Sequence, residues 1–292
     1  MGARHQTWGS RTFDIFNHLF LSIIALLMLL PLLYVIAGSF ASDAELSVKQ
    51  IVLIPTEPTL DSYRYILSSG IIFRSLLNSI FITVIATAIN MLSTAIMAYP
   101  LSRVTLMGRG WIMKMVVFTL LFQGGLIPNY LLVRELGLLD SYWSLWLPGA
   151  IAAFNLILLK NFFQQLPDGI EEAAKIDGCN DMQILIRIAL PLSMPSIAAL
   201  TLFYAVGNWN SYFPALMYIG DSLKWPIQVW LRQIVILSQA GFDVNANMED
   251  YVQPPETTKL AVICVATIPI LMVYPFLQKY FAKGMLLGSV KG

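Results

Sequence analysis

A chain of 292 residues that is 57% hydrophobic and only 12% charged, with a mean hydropathy of +0.69, holds more apolar surface than a water-soluble fold can hide. Its formal charge of +1 is not gathered into a basic run or arm, which excludes electrostatic capture of nucleic acid. The class is an all-α integral membrane protein, and run lengths predict six transmembrane helices in one transmembrane domain, 1–292.

The first predicted span, 18–40, is too long for a signal-peptide core and has no small-residue cleavage site at a suitable distance, so it reads as retained; Pro31 is tolerable there. An acidic aqueous loop with Asp43, Glu45, Glu57 and Asp61 follows. In the second span, 71–101, Ser79, Thr83, Thr87, Asn90 and Thr94 are separated by four, four, three and four residues and share one helical face. That face either packs closely against neighbouring helices, the favoured reading, or lines a translocation path. The third span, 111–128, carries Gln123, Gly124 and Gly125 near its far end, where the backbone should kink. After an outside loop with Arg134, Glu135 and Asp140, the fourth span, 142–163, begins in an aromatic belt of Tyr142, Trp143 and Trp146.

Segment 164–190 is a polar interruption built like two capped helices. Asp168 and Glu171 have the spacing of a capping box, which predicts a short helix from Gly169 through Ala173, Ala174 and Lys175. Gly178 is placed to end it in the left-handed conformation, and Asn180 or Asp181 to cap a second helix that enters the membrane at Pro191. The fifth span, 191–219, is the least lipid-like, since Tyr204, Asn208, Trp209, Asn210, Ser211 and Tyr212 fall inside it. Read as one helix, Tyr204, Asn208 and Ser211 make a stripe with Tyr212 beside them, facing either the solute pathway or neighbouring helices. Two amides with aromatic faces favour the pathway, because carbohydrate sites need both.

The long segment 220–259, with Asp221, Asp243, Glu249, Asp250, Glu256 and Pro254-Pro255, is a second outside surface, and 260–281 is the sixth span, with Pro269 and Pro275. Both termini then share one side. That side holds Arg4, Arg11, Arg103, Arg109, Lys114, Lys160, Lys175, Arg187, Lys279, Lys283 and Lys291; the other holds Lys49, Arg64, Arg74, Arg134, Lys224, Arg232 and Lys259. Eleven against seven of the 18 basic residues makes the richer side cytoplasmic.

Nothing in the chain suits bond-breaking chemistry. It has no G-x-x-x-x-G-K-[ST] loop to hold ATP, and His5 and His18 have no partner at metal-ligand spacing. Glu171 and Glu172 are adjacent, so on a helix they diverge by about 100° and cannot act on one atom. Cys179 and Cys264, one in the polar interruption and one in an apolar run, do not suggest a disulfide. A stand-alone secondary transporter is disfavoured too. Arg74, Lys114 and Lys160 lie close enough to span ends to snorkel, and no repeat of the two halves is evident.

The spacing Glu172-Ala173-Ala174, three residues, Gly178, nine residues, Ile188, one residue, Leu190-Pro191 resembles the EAA loop of binding-protein-dependent ABC importer permeases. The likeness covers nearly the whole chain. Residues Gly124 to Trp143, Phe203 to Ile219 and the closing QKYFAKGMLLGSVKG are similar to the branch that imports oligosaccharides and polysaccharide fragments. The resemblance implies a type I importer permease fold in the cytoplasmic (inner) membrane. It also implies a heterodimer with a sister permease, an extracytoplasmic solute-binding protein and two ATPase subunits, which hold the ATP and magnesium. The short helix would then be a coupling helix, with Glu171, Glu172, Ala173, Ala174, Asp177 and Gly178 as the ATPase-docking set and Glu172 meeting a basic residue there.

Overall fold

The computed structural model describes residues 8–49, 51–237 and 256–289, with all their side chains except those of 8–10, 168, 236–237, 274 and 276–289. Arg4, His5, Asp243, Glu249, Asp250, Pro254, Pro255 and Lys291, and the side chains of Asp168, Lys279 and Lys283, therefore lie outside the described residues. Helix α1 (Trp8–Ser39) is followed by the short α2 (Asp43–Val48) and α3 (Asp61–Ser68), and then by α4 (Gly70–Ser102). Next come α5 (Arg109–Leu121), α6 (Leu126–Glu135), the single turn α7 (Trp143–Trp146) and α8 (Ala153–Gln164). The polar interruption contributes α9 (Asp168–Ile176), α10 (Asp181–Ile184), a π-helical turn at Leu185–Ala189 and α11 (Leu190–Leu192). The chain continues with α12 (Met194–Asn210), α13 (Phe213–Tyr218), a 3-10 turn at Ser222–Lys224 and α14 (Ile227–Arg232). A second π turn, Gln233–Leu237, and α15 (Glu256–Ser289) complete the described order.

The chain divides into two compact units, Met1–Gly70 with Ile234–Ala266, and Ile71–Gln233 with Thr267–Gly292. In the first, α1 is apolar on all sides and buries none of its hydrophobic window within the chain, as suits a helix solvated by lipid. The expected acidic loop is not a loop throughout: α2 and α3 fold within it because it has a core of its own. Ala41, Leu46, Val52 and Leu260 are buried together, with Tyr34, Val35 and Ile263 against them. Gly38 permits the approach, since a Cβ there would collide with the Leu260 side chain. Polar ties close the same region. Ser39 and Tyr63 share a hydrogen bond of 2.7 Å, Ser62 donates to Thr257 at 3.0 Å, and Thr257 donates to the Asp43 carboxylate. The Glu45 carboxylate accepts from the Thr56 amide, the Thr56 hydroxyl and Lys49, stapling Lys49 and Thr56 onto α2.

In the second unit the spans are more broken than the sequence predicts. Three segments among the described residues, Arg11–Ser39, Gly70–Ser102 and Glu256–Val273, are long and apolar enough to cross a membrane unaided. Two bent pairs could each make a further crossing: Arg109–Leu121 with Leu126–Glu135, at 116°, and Asp181–Leu192 with Met194–Asn210, at 85°. The first break is the expected kink carried further. Gly125, at φ +85°, turns the chain, and part of the predicted outside loop is helix α6. The predicted fourth span, 142–163, is split. Helix α8 has 12 residues, about 18 Å of rise against a hydrocarbon core of about 30 Å, and a non-helical stretch separates it from α7.

Such breaks expose backbone groups that need partners inside the protein. The side chains of α4 supply most of them. Asn90 donates to the Gly149 carbonyl at 2.6 Å, and Asn78 to the carbonyls of Leu223 and Trp225 at 2.8 and 3.2 Å. Ser79 accepts the Ile227 amide at 2.7 Å, and Thr94 shares a 2.7 Å bond with the Tyr204 hydroxyl, which accepts the Ala152 amide at 3.1 Å. All five residues of the predicted stripe are buried, in agreement with the packing reading. A further knot joins two loops. Asp140, at φ +57°, accepts the Asp221 amide at 3.1 Å and Lys224 at 3.0 Å, and its carboxyl is held below the usual range by that amide first and Lys224 second.

Two outcomes follow. The Glu45 carboxyl sits at about 2, lowered chiefly by the Thr56 hydroxyl and then by Lys49. Because the folded value is depressed, the staple's contribution is present above the ordinary carboxylate value and is lost as pH falls toward about 2. Hydrogen exchange should find the Thr56 amide as protected at about pH 5.5 as at pH 7, with protection falling progressively from about pH 4.5 toward about pH 2, and weakened at pH 7 in Glu45→Gln. In the second unit, Asn208 donates to Thr87 at 3.2 Å and Asn90 at 2.9 Å. Asn208→Leu should cost about 1–2 kcal/mol and lower the Tm of the detergent-solubilised protein by about 2–6 °C.

Candidate functional site

The polar interruption is two capped helices, with one correction to its start. The N-cap of α9 is Pro167, not Asp168: Pro167 has the extended backbone of a cap, and Asp168 is already in the first turn. A proline side chain has no acceptor to offer, so the predicted capping box does not define this terminus. The other end matches the sequence. Gly178 is at φ +83°, its amide bonds to Lys175 O at 3.0 Å, and the Cys179 amide reaches Ala174 O at 2.9 Å, which is a Schellman closure. Asn180 then caps α10 in a reciprocal box with Gln183, at 2.8 and 2.9 Å. The following helix is not continuous. Pro191 cannot donate to the carbonyl four residues back, the preceding turn is π-helical, and the axis swings at Ser193.

Helix α9 has two faces. Glu171 and Ala174, three apart, point inward. Ala174 joins a core with Ala98, Tyr99, Leu159, Phe163, Ile184 and Ala189, and Glu171 pairs with Arg103, the residue after α4. The Arg103 guanidinium also lies over the Tyr99 ring, 4.6 Å from its centroid. Of the expected docking set, Glu171 and Ala174 therefore face the fold and not the surface, as the helical period requires. Glu172, Ala173, Lys175, Ile176, Asp177 and Gly178 are exposed, with Ile176 at 86%. Lys175 and Asp181 are 3.9 Å apart and open to water, an ion pair worth little.

The predicted fifth-span stripe is divided between two surroundings. Helix α12 ends at Asn210, and Ser211 is extended, so Ser211 and Tyr212 do not continue the helical face of Tyr204 and Asn208. Tyr204 and Trp209 are buried, and Tyr204 and Asn208 bond into the α4 seam. The space between Asn208, Ser211, Ser79 and Thr83 is about 30 Å³, the volume of one water and far less than a sugar ring. Asn210, Ser211 and Tyr212 are exposed. Sequence reasoning missed two features here. Asn78, adjacent to the counted stripe, carries backbone bonds, and Arg232, counted only as an outside charge, lies 5.3 Å from the centroid of the Tyr212 ring. No local spacing signals either one.

Comparison with known proteins places this geometry. Residues 1–287 match the family described as "Binding-protein-dependent transport system inner membrane component". The chain is 58% identical over 284 residues to the polygalacturonan/rhamnogalacturonan transport system permease protein YtcP of Bacillus subtilis (strain 168), covering 97% of this chain and 99% of that one. It is 54% identical to protein LplC of the same organism over 99% of this chain and 98% of the other. Among solved structures, a bacterial ABC transporter involved in the import of the acidic polysaccharide alginate contains a chain that superposes with a TM-score of 0.87 at 34% identity, covering 96% of this chain and all of that one. This chain therefore belongs to the binding-protein-dependent transport system inner membrane components, as an ABC importer permease subunit of the type I fold and not an enzyme.

Proposed function

We propose that this chain is one of two permeases in an ATP-driven importer of acidic oligosaccharides. The observation that carries the coupling role is the two-faced helix α9. Its inner face is locked to the fold by Ala174 and by the Arg103–Glu171 pair, while Glu172 and its neighbours stand free at the surface. A helix so anchored can take a push on its outer face and hand it to α4. The outer face presents one carboxylate, Glu172, beside the apolar Ala173 and Ile176, which suits a partner cleft with a basic residue over an apolar floor. The chain itself works as a heterodimer with a sister permease, two ATPase subunits that hold ATP and magnesium, and an extracytoplasmic binding protein that delivers solute.

The solute class rests on chemistry shared by the relatives' names. Polygalacturonan and alginate are both polymers of uronic acids, so each sugar ring carries a carboxylate. The 58% identity to the polygalacturonan/rhamnogalacturonan permease favours oligogalacturonides over alginate fragments, toward which the identity is 34%. On this reading Asn210, Ser211 and Tyr212 face the pathway, and Tyr204, Asn208 and Trp209 support it from behind. The topology is six crossings, with α7 and α8 together making the fourth, and both termini and α9 cytoplasmic.

Glu172→Lys reverses the charge on the exposed face, and Gly178→Val forces a β-branched residue to φ +83°. Both variants should insert and assemble yet lose tenfold or more of the solute-stimulated ATPase activity of the reconstituted complex; wild-type stimulation in both would remove α9 from coupling. For topology, in a background lacking Cys179 and Cys264, a cysteine at the exposed Asp61 should react in whole cells with an impermeant thiol reagent. A cysteine at Ile176 should react only after lysis, and labelling at Ile176 in intact cells would invert the orientation.

A further inference from the structure

Helix α14 ends on Arg232, and the packing of that helix against α4 holds the arginine beside Tyr212 rather than in an irregular loop. Ile227, Val229 and Trp230 are buried, at 0%, 1% and 7% exposure. The Ile227 amide is tied to Ser79, nine residues into α4, or about 14 Å from its start. The preceding turn is held by Asn78 of α4 through the carbonyls of Leu223 and Trp225. Arg232 is only partly exposed, and its guanidinium rests over the Tyr212 ring. Among the described residues, no carboxylate lies within ion-pair distance of it.

A half-buried arginine with no carboxylate beside it among the described residues keeps donors that a negative group can meet. Its surroundings fit one kind of anion. Tyr212 lies at the non-helical joint after α12, flanked by the exposed amide of Asn210 and hydroxyl of Ser211. A ring 5.3 Å from the guanidinium carbon steadies the cation, and the edge donors of a guanidinium can grip a carboxylate through two parallel hydrogen bonds. A neighbouring amide and hydroxyl can bond sugar hydroxyls, and the open part of the aromatic ring can lie against a pyranose face.

We propose that Arg232, stacked on Tyr212 and flanked by Asn210 and Ser211, is a subsite for the carboxylate of a uronic-acid residue on the transport face of this permease. The subsite selects acidic over neutral oligosaccharides. It rests on the reading of the chain as a permease for acidic oligosaccharides, and adds to it the group that reads the charge. Lysine in its place would keep the charge but lose the fork and the planar stack.

The test uses the complete transporter in proteoliposomes with its binding protein. The probes are trigalacturonate and its fully methyl-esterified, neutral counterpart, and co-purification of the subunits checks assembly. Arg232→Gln should lower the ratio of trigalacturonate to methyl-ester uptake by tenfold or more, and Arg232→Lys should recover part of it. An unchanged ratio in assembled Arg232→Gln overturns the subsite, as does equal loss of both probes in Arg232→Gln and Arg232→Lys, which marks a packing role. A wild-type transporter that carries the neutral trimer and not trigalacturonate refutes the acidic-oligosaccharide reading itself, a result distinct from either.

Discussion

The structure of the second unit depends on the satisfaction of broken backbone by the side chains of one long helix. Helix α4 is uninterrupted over 33 residues, and its polar residues do not meet one another. Asn78, Ser79, Asn90 and Thr94 reach instead toward the turn before α14, the start of α14, the stretch between α7 and α8, and Tyr204 of α12. Water is not at hand in a membrane to bond loose amides and carbonyls, so the chain can leave the helical path only where such a partner waits. The stripe read from its spacing as a packing face is thus also the support on which non-helical segments rest.

The same helix reaches α9. Its last turn supplies Tyr99, and Arg103 follows immediately, so Glu171 of α9 is tied to the end of α4 by charge and ring stacking while Ala174 seats beside Ala98. Removing one partner of a buried pair leaves a charge uncompensated, at a cost of about 3–5 kcal/mol, which makes the link stiff against separation. From α4 the bonds run on through Thr94, Asn90 and Thr87 to Tyr204 and Asn208 of α12. The joint at Ser211 and Tyr212, where regular structure stops, lies at the far end of that series.

Composition alone determined that the chain lives in a membrane, because apolar content of this degree has no soluble solution. The spacing from Glu172 to Pro191 marked two capped helices, since glycine at a left-handed closure and asparagine at a cap are local requirements that any fold must meet in the same way. Polar residues at steps of three and four marked the buried face of α4 for the same reason: the helical period is a property of the backbone.

Tertiary structure decided what those faces meet. Whether Glu171 or Glu172 is the free carboxylate depends on where α4 ends and places Arg103. That α12 stops at Asn210 divides a stripe that looks continuous in sequence, and in the break at 147–152 the Gly149 carbonyl and the Ala152 amide are bonded by the distant side chains of Asn90 and Tyr204. Arg232 reads as a loop charge until α14 is seen packed against α4 and Tyr212 beneath the guanidinium. Periodicity and capping are set by neighbours within four residues, whereas burial and hydrogen-bond partnership at these positions are set by residues from about 20 to about 150 positions away, which no local pattern encodes.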